Sequence, residues 1–370
     1  MRIDASKMNI EERVMLELHD LYRKYGYSRF RLGRFEEYEL YRRNKDFIDT
    51  EDIIVFSDLN GKLVALKPDL TLSIIKNFRY EPGAVNKVFY SENIYRIFKN
   101  SRTMREINQT GLECMGDIDL YQVSEVTMLA IRSLRSISPE FVLDLSHMGV
   151  IADIMEPLDD ATRGALLKCL GEKNAHELRR TGEEAGVSEE ILRSLETLIS
   201  TYGSWREVRK KLEDLPLGEK GQSALEELSS LMSILSENRM ASKVRIDFSI
   251  VNDMSYYSGL LFKGFIKDLP KSILSGGRYD NLMAKNGKQG GALGFGVYLD
   301  DLEGLNADEA RYDADVALIY GDEEPAEQVC RAVKELTAGG ESVVALKRIP
   351  ENLRYRRVAR LNRGEVENVE

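Results

Sequence analysis

Two twelve-residue runs, KVFYSENIYRIF (87–98) and REINQTGLECMG (105–116), constrain this chain more than any other feature. Each reads as a long β-strand, and only a short polar loop containing Lys99, Asn100, Ser101 and Arg102 separates them. Strands joined so closely run antiparallel, and a single hairpin is not stable without neighbours. The remaining β-rich runs supply them. IIVFSD (53–58) and KLVALK (62–67) flank Asn60-Gly61, a tight-turn signal, and FVLDLSH (141–147), KVRIDFSIV (243–251) and YYSGLLFKGFI (256–266) follow. Apolar residues at helical spacing predict helices over 9–25 and 121–135, the first opened by Asn9 and Glu12 and closed by Gly26. Residues 150–238 read as an inserted helical subdomain, broken at Pro157, Gly186, Gly203 and Pro216. The segment 287–305 places five glycines ahead of a predicted helix, which allows close backbone packing or close approach of a ligand. Beyond Asn306 a β-α-β unit begins and stops early, so the chain divides into 1–305 and 306–370. The class is α+β.

Composition excludes several kinds of protein. With 52 Lys and Arg against 62 Asp and Glu, the net charge of −10 does not suit a general nucleic-acid coat. No apolar run reaches the ~18–20 residues that span a bilayer, and the N-terminus lacks a signal-peptide core, so a cytoplasmic location is expected. Cys114, Cys169 and Cys330, like His19, His147 and His176, are too scattered for a zinc site or a disulfide framework. Any nucleotide is not held by a P-loop, and no histidine accompanies a Ser or Cys nucleophile, so nothing supports hydrolase chemistry; neither a metal nor another cofactor is expected.

The informative polar residues lie on runs that a sheet would bury. On an extended KPDLT (67–71), Asp69 and Thr71 share a side; on INQTGLEC (107–114), Gln109, Gly111 and Glu113 share a face. On an extended SYYSG (255–259), Tyr257 and Gly259 share a face and Tyr256 takes the other. Two carboxylates, an amide and a tyrosine suit a small cationic or zwitterionic ligand, or they are merely the solvent-facing half of alternating strands. SGGRYDNL (275–282) reads as a turn at which Arg278 and backbone face an anion, or as an ordinary Gly-Gly loop. Arg96, Arg102 and Arg105 cluster on the long hairpin, as an anion site or as a solvated rim. Spacing alone yields a pocket and no reaction.

Taken in order over most of residues 9–305, these segments resemble the class II aminoacyl-tRNA synthetases, specifically the histidyl branch. KVFYSENIYRIFKNSRTMREINQTGLECMG resembles motif 2, YYSGLLFKGF and LSGGRYDNL resemble the two histidine-specific segments, and GGALGFGVYLDDL resembles motif 3. The resemblance implies a six-stranded antiparallel sheet flanked by helices, and a dimer. It also implies histidine-contacting roles for Asp69, Thr71, Gln109, Glu113, Tyr256, Tyr257, Gly276, Gly277, Arg278 and Tyr279. Arg96 matches the motif 2 arginine that contacts phosphate. Elsewhere the nucleotide side departs from the family. Phe98 stands for an acidic residue, Asp301 for the motif 3 arginine, and Asn252 for the arginine that acts on the α-phosphate. Adenylation needs fixed cations where negative charge develops, and Asp301 would repel a triphosphate.

A kept amino-acid side with a lost nucleotide side resembles the ATP phosphoribosyltransferase regulatory subunits, non-catalytic paralogues of the synthetases. That resemblance implies assembly with a short-form catalytic subunit, which needs them for activity, and a part in feedback inhibition by L-histidine in histidine biosynthesis. The alternatives are a divergent histidyl-tRNA synthetase, or related amino-acid-activating paralogue, and a stand-alone amino-acid-binding module. Residues 306–370 resemble the start of an anticodon-binding domain. The basic run Arg354, Arg356, Arg357, Arg360 and Arg363 is read as a solvated helix face or subunit contact rather than an RNA site.

Overall fold

The structure, a computed structural model, describes residues 8–45, 47–48, 53–98, 103–252, 256–306 and 312–369. The loop residues Lys99 to Arg102, and Ser255, therefore lie outside the described residues. Two compact units divide the chain at 305/306.

In the first unit the long hairpin forms as expected. Val85–Phe98 and Thr103–Gly116 pair antiparallel from Val85↔Gly116 to Phe98↔Thr103. Gly291–Tyr298, Ser272–Arg278, Leu260–Ile266 and Phe141–His147 extend the sheet in that spatial order, each antiparallel to the last. These six strands are the expected antiparallel core. Three short edge strands bring the sheet to nine. Ser28–Arg29 is parallel to Val85–Phe98, Val244–Asp247 is parallel to Phe141–His147, and Tyr202–Gly203 closes the far edge.

Side-chain alternation separates two cores. Phe89, Leu112, Cys114, Leu293, Phe295 and Val297 face one core with the helices Ile10–Lys24 and Leu120–Ile137. Val88, Tyr90, Met115 and Ala292 face the other, with a small three-stranded sheet whose Val55–Ser57 and Leu63–Leu66 flank the Asn60-Gly61 turn. Val14, Leu18 and Tyr22 of the first helix are fully buried, each burial contributing about 1.5–3 kcal/mol. Asn9 caps that helix, accepting from the Glu12 amide at 2.7 Å. Asn9→Ala is expected to cost about 1 kcal/mol, read as a lower midpoint in urea.

Residues 148–237 fold into the helices Met148–Ile154, Asp160–Gly171, Ala175–Glu184, Glu189–Ile199, Trp205–Glu213 and Glu219–Glu237. Pro157, Gly186, Gly203 and Pro216 all fall in the connections between them. Their buried leucines, among them Leu166, Leu178, Leu195 and Leu228, belong to the same core as the sheet's back face.

Three local expectations fail for identifiable reasons. KPDLT is not extended: Thr71 opens the helix Thr71–Asn77, and Asp69 accepts from the Leu72 amide at 2.9 Å. Gly276 and Gly277 form no turn. They sit inside a strand paired on both sides, where a Cβ on Gly276 would meet the Gly294 carbonyl oxygen at 2.2 Å. Tyr256 and Tyr257 precede the strand that starts at Leu260, so strand alternation does not separate them.

The second unit has a four-stranded sheet ordered Val343–Leu346, Ala314–Ile319, Tyr355–Asn362, Glu365–Val369, with helix Ala326–Ala338. Val316, Leu318, Ala332, Ala359 and Leu361 form its core. The basic run is a strand and not a helix face: Ala359 and Leu361 point inward while Arg360 is exposed. Within the run, Arg354 pairs with Asp313, Arg356 with Asp315 and Arg357 with Glu341.

Candidate functional site

Glu113 sits near the open end of the long hairpin, opposite Val88, on the front of the sheet, and is 2% exposed. Directly opposite in the register is Gly294, and Gln109 lies four residue pairs along, opposite Tyr298, with its side chain reaching over Gly296. The two glycines make room for these side chains. A Cβ on Gly294 would lie 1.7 Å from Glu113 Oε2, and one on Gly296 would lie 1.7 Å from Gln109 Nε2. The expected close approach over this strand is thus made by the chain's own side chains. Gly111, also on this face, admits the Tyr90 phenol.

Two hydroxyls hold Glu113. Tyr279 donates to Oε2 at 2.5 Å, and Thr71 donates to Oε1 at 3.1 Å. Burial raises the Glu113 carboxyl to about 8 against the pull of these two hydrogen bonds. The acid is therefore mostly protonated at neutral pH. Gln109 donates from Nε2 to the Tyr90 hydroxyl at 3.2 Å. Above Glu113 the aromatic rings form a wall. Tyr256 stacks between Phe47 (4.1 Å) and Tyr279 (5.9 Å), and Tyr257 meets Tyr256 edge-on at 4.2 Å. Such a wall suits a planar or cationic group.

The predicted residues do not all converge here. Thr71, Gln109, Glu113, Tyr256, Tyr257 and Tyr279 do. Asp69 borders the same group: half-buried, with its carboxylate accepting at a helix start, it adds its negative charge to the burial that raises Glu113, Tyr256 and Tyr257. Burial raises its own pKa, opposed by the Leu72 amide and then by Arg96. Gly277 pairs with Gly294 and so belongs to the same floor, whereas Gly276 packs against Phe295 of the back core. Arg278 turns away from Glu113. It pairs in register with Leu293 of the back core, and its guanidinium binds Asp280 (2.8 Å) and Glu227 (3.5 Å). Arg96 donates from Nε to the Pro68 carbonyl at 2.9 Å, and Arg105 stands opposite it in the hairpin register. Of the departures on the nucleotide side, Asp301 is half-buried in the 3₁₀ helix Asp300–Asn306 and Asn252 is exposed.

Three contributors escaped the sequence reading. Tyr90 faces Gly111 across the hairpin, and a tyrosine opposite a glycine was the signal for it. Phe47 lies in irregular chain and left no signal. Lys67 is 2% exposed with no hydrogen-bond partner for Nζ, and burial lowers its pKa against the attraction of Glu92, Glu36 and Asp69. Among the described residues no cluster of three His, Cys, Asp or Glu side chains could hold a metal ion, and no helix is long and apolar enough to cross a membrane.

With this geometry in hand, the likeness to known proteins is specific. The profile of the histidyl-tRNA synthetase family matches residues 3–302. The chain belongs to that family. Within it, this chain is 30% identical over 324 residues to an ATP phosphoribosyltransferase regulatory subunit of Bacillus velezensis, covering 85% of this chain and 82% of the relative. A solved ATP phosphoribosyltransferase regulatory subunit/histidyl-tRNA synthetase from Bacillus halodurans superposes with a TM-score of 0.80 at 25% identity, covering 95% and 93% of the two chains. A chain of the ATP phosphoribosyl transferase (HisG:HisZ) complex from Thermotoga maritima shares the fold at a TM-score of 0.63 and 21% identity, over 79% of this chain and 98% of that one. Membership of the regulatory-subunit branch of the histidyl-tRNA synthetase family follows from the first of these relatives.

Proposed function

We propose that this chain is the regulatory subunit of an ATP phosphoribosyltransferase, working in the cytoplasm in a hetero-oligomer with a short catalytic subunit and sensing L-histidine. The observation that carries the reading is the buried acid Glu113, held by Thr71 and Tyr279 and walled by tyrosines, in a chain whose Asn252 and Asp301 replace cations of the synthetases. An imidazole beside Glu113 and Tyr257 meets both an acid and an aromatic face. Thr71 and Gln109 supply further polar contacts, while Arg278 has no part in this site. Adenylation lacks the fixed cations it needs, so catalysis belongs to the partner. The chain self-associates as a synthetase-like dimer, and histidine acts by binding one assembly state of the complex more tightly than the other.

The test is ATP phosphoribosyltransferase turnover by the short catalytic subunit of the same genome, with and without this chain and with and without histidine. Activation that histidine suppresses is the expected result, and a catalytic subunit indifferent to the chain would refute the assignment. Histidine-dependent ATP–pyrophosphate exchange by the chain alone would support a synthetase instead.

A further inference from the structure

Behind the sheet, on the side opposite Glu113, the helices Met148–Ile154, Asp160–Gly171 and Glu219–Glu237, with Tyr257 and Ser258 of the adjoining loop, line a cavity of about 620 Å³ that opens to solvent. Its volume falls within the range of small-molecule sites, ~300–1,000 Å³. Met148, Ala152 and Ala224 give it an apolar wall. Its polar groups are unusual. His147, at the end of strand Phe141–His147, is 4% exposed, and its Nε2 has no hydrogen-bond partner. Glu227 Oε1, 3.6 Å from that nitrogen, has none either, and the same holds for Arg163 Nε. Unsatisfied buried polar atoms cost free energy, and three on the lining of one cavity are a reason to look for a ligand.

The backbone sets the tautomer. Gly149 N–H donates to His147 Nδ1 at 3.1 Å, so the neutral ring carries its proton on Nε2 and presents a donor. A donor and a carboxylate acceptor thus stand 3.6 Å apart as a stretched pair. That pair, with Arg278 at 3.5 Å on the other oxygen, holds the Glu227 carboxyl below its usual range and leaves room between the two for one bridging atom. A ligand carboxylate or phosphate would meet the Glu227 oxygen, and the lining acids Asp153, Glu156 and Glu227 outnumber Arg163 and Lys220. An ammonium would meet the Nε2–H. A hydroxyl both accepts and donates through one atom, and Glu227, part-exposed, turns at little cost to receive it.

We propose that this cavity binds the sugar of a ribose-type ligand, free or carried by a nucleoside, with one hydroxyl accepting from His147 Nε2 and donating to Glu227 Oε1. Arg163 Nε supplies a second donor, and the Met148, Ala152 and Ala224 wall takes the apolar face of the ring. This site lies on the other side of the sheet from Glu113 and borders the histidine site only through Tyr257, and it does not depend on the function proposed there.

Isothermal titration calorimetry of the full chain at pH 8, with D-ribose and adenosine as probes, tests the assignment. Saturable binding of one adenosine per chain is expected. Ribose binding as well would place the determinants in the sugar alone, and adenosine alone would assign a nucleoside. His147→Asn keeps a side-chain oxygen to cap the following helix and removes the donor. Glu227→Gln replaces the acceptor carboxylate, and Ser223→Phe fills the mouth from an exposed position, leaving the buried pair intact. Each should weaken binding about tenfold or more, while Glu113→Gln leaves it unchanged. Should His147→Asn unfold the chain, as circular dichroism would show, Ser223→Phe decides alone. No binding of either probe at millimolar concentration, or binding that survives the folded variants, overturns the proposal.

Discussion

Gly294→Ala is expected to destabilise the first unit by about 3 kcal/mol and to abolish the pocket around Glu113. Gly294 is buried in a central strand, directly opposite Glu113 in the register. The added methyl would lie 1.7 Å from Glu113 Oε2 and 2.4 Å from the Leu112 carbonyl oxygen. A flexible carboxylate could turn aside, but the carbonyl belongs to the neighbouring strand and moves only with the sheet. Turning Glu113 aside also breaks its bonds to Tyr279 and Thr71, leaving a buried acid without partners. Thermal unfolding should move down by roughly 5 °C. Histidine binding, measured by calorimetry below the new transition, should disappear. A variant that melts like the parent and still binds histidine would show that the glycine is not needed for room.

The same strand shows where sequence reading succeeds and where it stops. The long hairpin was legible because its length and residue types leave few alternatives to paired strands. So were the four helix breaks, since a Pro or Gly acts on its own backbone whatever surrounds it. Gly276 and Gly277 misled because Gly-Gly is locally a turn signal. Their actual cause is tertiary, a facing carbonyl at 2.2 Å from a Gly276 Cβ and another at 2.5 Å from a Gly277 Cβ. Asp69 was read as a pocket acid on an extended chain. An aspartate three residues before the Leu72 amide is a helix-start pattern, and it wins over extension here because the amide takes the carboxylate as its acceptor. Arg278 was assigned by resemblance to one site residue after another along a strand, and a strand sends neighbours to opposite faces. Tyr279 therefore reaches Glu113 while Arg278 reaches Glu227. The basic run near residue 360 hid a strand because charge drew attention from the alternation of Ala359, Arg360 and Leu361.

Glu113 should also make both stability and histidine affinity depend on pH, in one direction. Its folded pKa of about 8 lies above the ordinary 4.5, so between those values the folded chain holds a proton that the unfolded chain has released. Stability therefore falls as pH rises from about 4.5 to 8 and levels off above. Glu113→Gln, which imitates the neutral acid, should flatten the part of the slope that this residue causes. For the ligand the argument runs through the same proton. At pH 7 the acid brings a proton and the imidazole of free histidine is mostly neutral. Passing the proton between them makes an imidazolium–carboxylate pair without exchange with solvent. At pH 9 both partners have lost their protons, so binding must take one up. Affinity should fall about tenfold between pH 7 and pH 9, and proton uptake on binding, measured calorimetrically in buffers of different ionisation heat, should rise from near zero to about one. Glu113→Gln should bind histidine roughly tenfold to a hundredfold more weakly at pH 7, since the charged hydrogen bond is lost, and should show no proton uptake at pH 9. In the complex that variant should still activate the catalytic subunit while needing correspondingly more histidine to inhibit it. Unchanged inhibition by histidine, or affinity of the native chain that stays level from pH 7 to 9, would remove Glu113 from the site.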